Sequence, residues 1–134
     1  MPLVRIDLGK SYSPEARQTI GDVVYQAMTE IANVPPHDKF QIFTLHDENQ
    51  LAYPQSGYLG NNYTPGIIFI QILWVAGRST DVKKAFYRRI ADRLHAEIGV
   101  RKEDVWITLA ENAARTGRSA AATSNMRRDN ASIS

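Results

Sequence analysis

The first positions of the chain alternate. In PLVRIDL, Val4, Ile6 and Leu8 fall on one side and Arg5 and Asp7 on the other, which predicts a strand with one buried face. The period then changes. SPEARQTIGDVVYQAMTEIA opens with a serine suited to an N-cap, a proline at the first helical position and an acid beside it. Its apolar residues Ile20, Val23, Val24, Ala27, Met28 and Ile31 follow helical spacing. KFQIFTL returns to a strand pattern. GIIFIQILW is apolar at nearly every position, STDVKK opens a second helix, and VWITLA reads as a last strand.

The pattern repeats. Shifted by 66 residues, the chain overlays on itself without a gap: Val4 meets Ile70, Ile6 meets Ile72, Ser13 meets Ser79 and Ile20 meets Phe86. Further on, Val24 meets Ile90, Met28 meets Leu94, Asn33 meets Gly99, Val34 meets Val100, Asp38 meets Asp104 and Phe40 meets Trp106. Asn33 and Gly99 both tolerate the left-handed conformation that ends a helix. Each unit is strand, helix, strand, so its two strands are parallel with the helix as a crossover. The expected fold is α/β (α+β): a duplicated β-α-β domain over residues 1–112, with units at about 2–45 and 68–111. Its four-stranded mixed sheet carries two helices on one face. No helix remains for the other face, and GIIFIQILW is too apolar to leave it wet, so a homo-oligomer is expected. Asp38 and Asp104 match across the repeat, which favours a shared turn-capping role; Pro2 faces Ile68 and Arg78 faces Tyr12, so those positions are released from the architecture.

Composition removes several function classes. The chain has 134 residues, 43% of them apolar, and is one domain in length. No apolar run is long enough to cross a bilayer and no secretory leader is evident, so no membrane role is expected. With no cysteine there is no thiol chemistry, which fits a cytoplasmic location. The net charge of +2 comes from four arginines after Asn112; residues 1–111 carry 12 basic and 13 acidic groups. The folded body is not basic, and no nucleic-acid partner is expected.

Little remains that can carry chemistry. Pro2, once Met1 is removed, is a secondary amine at the head of a strand. An α-amine has a pKa of about 8, and burial beside a cation lowers it towards a general base while carboxylates keep it a charged general acid. Arg78, in VAGRSTD, lies where a strand ends and a helix begins, a place suited to gripping a carboxylate. His37, His46 and His95 have no metal-ligand spacing, and no phosphate loop or nucleophile elbow occurs, so no metal or cofactor is expected. HDENQ reads as a solvated turn. LAYPQSGYLGNNYTPG is long for a linker inside one domain and reads as a pocket wall or an arm towards a neighbouring subunit.

The PLVRI strand, the paired β-α-β units, VPPHDKFQ and AGRSTDVKK together resemble the tautomerase superfamily, and within it the malonate semialdehyde decarboxylase-like branch, over residues 2–112. The resemblance implies an N-terminal proline, Pro2, acting as acid or base and an aspartate, Asp38, positioning it or a water. It also implies an arginine, Arg78, binding the carboxylate of a small oxo acid, and a trimer. Decarboxylation, or keto–enol tautomerisation without a cofactor, is the implied reaction; a non-catalytic trimeric binding protein of the same fold is the rival. Where some members of the branch have two arginines, VAGRS has one. Members also end in an aromatic D-W-S-F-G segment. Residues 113–134 form an atypical polar tail instead, and codons for TGRSAAATSNM read one nucleotide early can spell DWSFGRGDVQY. From about Thr116 the chain is therefore expected to be out of frame relative to its ancestral gene.

Overall fold

The computed structural model describes residues 2–113; the polar tail and the expectation of a shifted frame lie outside them. In chain order the elements are β1 (Leu3–Gly9), α1 (Pro14–Glu30), β2 (Gln41–His46), β3 (Ile68–Val75), α2 (Thr80–Ile98) and β4 (Val105–Asn112). They form one four-stranded sheet in the order β2-β1-β3-β4. Within each unit the strands are parallel, and β1 meets β3 antiparallel at the centre. Val4, Ile6, Leu8, Ile68, Ile70, Ile72 and Trp74 point towards the helices and are buried with Ile20, Val24, Phe86, Ile90 and Leu94, so both helices cover one face as expected.

The duplication is visible at atomic detail. Ser13 and Ser79 cap α1 and α2 with the same backbone angles, and each hydroxyl accepts the amide N–H three residues on, Ala16 and Val82, at 3.1 Å. Asn33 (φ 63°) and Gly99 (φ 72°) make the matching left-handed turns after the helices. Asp38 N–H donates to Pro35 O at 3.0 Å as Asp104 N–H donates to Arg101 O at 2.9 Å. Arg5 and Gln71 are both repeat equivalents and register partners, so a pseudo-twofold axis passes between them.

The side chains of the two aspartates part company. Asp104 is buried, and its carboxylate accepts the Thr64 N–H at 3.0 Å and the Thr64 hydroxyl, with Arg101 nearby at 3.4 Å. Beside it the Tyr12 hydroxyl donates to Gly66 O at 2.5 Å. Together they clasp the end of the long connection just before β3. Earlier in that connection Tyr63 packs on Trp106, and Leu59 stands 81% exposed on a tight turn at φ 52°. HDENQ is a turn: the Asp47 N–H donates to Gln50 Oε1 at 2.7 Å.

On the uncovered face Phe40, Ile42, Leu73 and Val75 keep between 38% and 47% of their area exposed, around Arg5 and Gln71. This is the face that the apolar β3 run predicts to need a cover.

Ser13→Ala and Ser79→Ala should each lower the unfolding free energy by about 1 kcal/mol, and the double variant by about their sum, in urea titrations at fixed protein concentration. Tyr12 supplies a pH test. Burial, and then the Asp104 charge, push its hydroxyl from 10.0 up to about 12. A raised folded value stabilises the protonated form, so that contribution is whole below pH 10.0 and is lost as pH rises towards about 12. Ultraviolet titration should show a tyrosine that ionises only towards about pH 12 and that Tyr12→Phe removes, and the variant should lack this alkaline loss of stability.

Candidate active site

Antiparallel pairing places the head of β1 beside the tail of β3. Leu3 pairs with Leu73, and continuing that register one rung outward sets Pro2 opposite Trp74. Trp74 in turn pairs with Glu111 of β4. Strand alternation puts Pro2, Trp74 and Glu111 in one row on the helix side of the sheet, where Pro2 is buried and Trp74 is 2% exposed. The indole N–H of Trp74 donates to Glu111 Oε2 at 2.9 Å, which satisfies a buried donor. Lys83, on the first turn of α2, donates from Nζ to Glu111 Oε1 at 2.8 Å.

Arg78 closes the row from above. It follows Gly77, whose φ of 134° turns the chain sharply between β3 and α2. Its guanidinium carbon lies 4.1 Å from the centre of the Trp74 ring, a cation–π contact worth about 0.5–2 kcal/mol. Nε donates to Ala32 O at 2.7 Å and Nη1 to Val75 O at 2.9 Å. Nη2 has no hydrogen-bond partner among the described residues, which leaves one edge of the fork open. Burial lowers the Arg78 pKa and the Glu111 charge opposes it; an arginine so placed stays cationic.

The Arg78–Ala32 bond ties the turn after β3 to the loop after α1, and that loop carries Asp38. Asp38 is half-buried three residues before Gln41, the first β2 residue to pair with β1. The three residues singled out from the sequence therefore stand at one end of the sheet. They are not bonded to one another: the Asp38 carboxylate makes no ion pair with Arg78 and has no hydrogen-bond partner among the described residues.

Sequence reasoning missed Trp74, Lys83 and Glu111. Donation from Lys83, then from Trp74, holds the Glu111 carboxyl below its ordinary 4.5, against a smaller effect of burial. Burial raises the neighbouring Tyr87 hydroxyl, with Lys83 opposing. The signal was present in the repeat. Pro2, Trp74 and Glu111 correspond to Ile68, Leu8 and Leu45, and those three form the matching row at the other end, Ile68 opposite Leu8 and Leu8 opposite Leu45. On this row one end of the sheet carries aliphatic side chains; the other carries a proline, an indole and a carboxylate.

A cavity of about 320 Å³ lies at that aliphatic end, lined among others by Lys10, Ser11, His46, Asp47, Tyr53 and Ile67, and none of the three candidates reaches it. His46 there is paired with Asp7 at 2.7 Å and His95 bonds Val100 O at 3.1 Å. Among the described residues no three His, Asp or Glu side chains gather as metal ligands, and no helix is long and apolar enough to cross a membrane.

Comparison with known proteins agrees with this architecture. The family described as tautomerase enzyme matches residues 38–116. A probable tautomerase of Bacillus subtilis (strain 168), YusQ, is 40% identical over 112 residues, which are 84% of this chain and 87% of the relative. Among solved structures, the FG41 malonate semialdehyde decarboxylase inhibited by 3-bromopropiolate superposes with a TM-score of 0.76 at 35% identity, covering 91% of this chain and 95% of that one. A fused 4-OT described as a symmetric trimer superposes at 0.69 and 18% identity, covering 90% and 97%, a likeness of fold. With its duplicated β-α-β sheet and these relatives, the chain belongs to the tautomerase superfamily.

Proposed function

We propose that the protein is a cofactor-free enzyme of small oxo acids in which Pro2, freed of Met1, transfers the proton and Arg78 holds the substrate carboxylate. The observation that supports this most is the row Pro2–Trp74–Glu111 with the Arg78 guanidinium stacked on Trp74 and Nη2 unpartnered. It brings a cation and the N-terminal proline to the surroundings of one indole, the two groups that a short oxo acid needs for its carboxylate and its proton. Removal of Met1 matters chemically, because an acylated proline nitrogen has neither basicity nor a proton to give.

Two reactions use this arrangement. In tautomerisation, neutral Pro2 takes the hydroxyl proton of an enol and returns a proton to the adjacent carbon, giving the 2-oxo acid. In decarboxylation of a 3-oxo acid, the carbon–carbon bond to the carboxylate breaks and its electron pair moves onto the carbonyl oxygen. Cationic Pro2 stabilises that oxyanion and then protonates the new carbon terminus. The 35% identity to the FG41 malonate semialdehyde decarboxylase favours the second reaction, and Asp38, close to the Pro2 end, would keep the amine charged or position a water. Retained as rival is a non-catalytic binding protein of the same fold.

The exposed apolar strip Phe40, Ile42, Leu73 and Val75 is a surface to be covered by further copies of the chain, and a trimer is the assembly of the fused 4-OT neighbour. Light scattering should give about three chain masses, and Ile42→Asp should shift it towards one.

Intact mass should first show loss of Met1. Turnover of phenylenolpyruvate or malonate semialdehyde should then fall at least ~100-fold in Pro2→Ala. Arg78→Ala should raise KM by about 10–100-fold, the loss of a charge-assisted carboxylate contact. A rate that falls with rising pH identifies Pro2 as the acid, and one that rises identifies the base. No turnover of either compound by Met1-free protein, or turnover indifferent to Pro2→Ala, establishes the binding protein instead.

A further inference from the structure

We propose that Glu111 is a positioning residue: it fixes the Trp74 indole in the plane on which Arg78 stacks, and so sets the guanidinium for its ligand. The role of Arg78 as carboxylate holder rests on the function proposed above; the role of Glu111 towards Trp74 and Arg78 does not.

The repeat provides an internal control. Leu8 and Leu45 occupy the places of Trp74 and Glu111 and pair in the same register, with aliphatic side chains in place of the indole and the carboxylate. Leu8 is fully buried there, so the fold itself is satisfied by aliphatic packing at this rung. At the other end the same rung holds an indole that must find an acceptor and a carboxylate only 22% exposed in its side chain. A buried indole is costlier at this rung than a buried leucine, since its donor has to be matched. What distinguishes the two ends is what sits on the aromatic ring. Tyr12 stands at the Leu8 end and reaches away to Gly66 O, while the Arg78 guanidinium carbon lies over the Trp74 ring.

Each atom of the Glu111 carboxylate has a task. Oε2 accepts the indole N–H, which removes the rotational freedom of the ring about the strand. Oε1 accepts Lys83 Nζ, so the second cation of this corner is matched within the protein and Arg78 keeps the cation with an open edge. Two backbone carbonyls, Ala32 and Val75, complete the cradle and hold the guanidinium over the indole. Tyr87, the remaining titratable group at this corner, corresponds to Gly21 in the first unit, a further break of the repeat at the same place. An indole free to swing would leave Arg78 without its floor, and the guanidinium would sample rotamers that miss the carboxylate.

The test uses the full chain and compares Glu111→Gln, which keeps an acceptor for the indole, with Glu111→Ala and with Glu111→Leu, which copies Leu45. In nitrogen–proton spectra, with Trp74 separated from Trp106 by Trp74→Phe, the wild-type Trp74 indole proton should exchange slowly and follow a carboxyl titration below pH 4.5. Glu111→Gln should keep slow exchange and lose the titration. Glu111→Leu and Glu111→Ala should lose slow exchange together with the protected Arg78 Nε–H resonance that marks its bond to Ala32. Thermal melting of Glu111→Leu should fall, since it leaves the buried indole donor unpaired, and Trp74→Leu with Glu111→Leu, which together copy the twin rung, should recover it. With oxo-acid substrate, Ala and Leu should raise KM about tenfold with kcat within about twofold, and Gln should recover most of the KM.

An Arg78 Nε–H signal unchanged in both Ala and Leu variants overturns the proposal, as does a KM unchanged in both. A fall in kcat at constant KM overturns it too, because Glu111 would then act on the reacting atoms. Should the wild type turn over no oxo acid, the function proposed above fails, and the two resonances alone decide the role of Glu111.

Discussion

The antiparallel pairing of β1 with β3 is the contact on which everything else in the domain hangs. Each β-α-β unit can build its own parallel pair and crossover helix, but neither can enclose its apolar face alone. Joining them through Val4–Ile72 and Ile6–Ile70 makes one continuous sheet, lays α1 beside α2, and gives both helices a common floor. The same pairing has a chemical result. Because the strands run in opposite senses, the start of one unit meets the end of the other, and residues 76 positions apart in sequence, Pro2 and Arg78, come to one corner.

That corner is built by departures from the symmetry that creates it. Serine caps, left-handed helix stops and the turns before β2 and β4 are the same in both units, since they satisfy backbone groups that any such unit exposes. Several of the differences between the units gather here: Leu8 becomes Trp74, Tyr12 becomes Arg78 and Leu45 becomes Glu111, with Arg78 and Glu111 both in contact with the Trp74 indole. Asp38 and Asp104 show the converse: one backbone turn, two side-chain environments. Asp104 is saturated by Thr64 and Arg101, whereas the Asp38 carboxylate has no such partners among the described residues.

Most of the architecture was legible in the chain because its causes are local. Alternation in PLVRIDL, the S-P-E opening of α1 and the 66-residue offset are short-range or periodic signals, and they gave element order, strand direction and the side on which the helices pack. The placement of Pro2 and Arg78 at one end follows from the same reasoning. Trp74 and Glu111 were illegible for a physical reason. Trp74 stands in an apolar run and reads as core, which it is, and Glu111 reads as the polar end of a strand. Only the register of β3 against β4, a property of sheet order rather than of either segment, joins them. The bend of Arg78 onto a ring four residues earlier is likewise set by Gly77 and by the Ala32 carbonyl, which belongs to the other unit.

Carrying both units on one chain has a further effect. Two identical β-α-β chains pairing about a true axis would show every substitution at both ends, so the poorly solvated indole–carboxylate–guanidinium corner would have to be built twice in each sheet. Covalent linkage lets the polar version occur once while the other end keeps Ile68, Leu8 and Leu45 on the same row. The long connection clasped by Tyr12 and Asp104 is thus what allows one sheet to carry an aliphatic row at one pole and a polar one at the other.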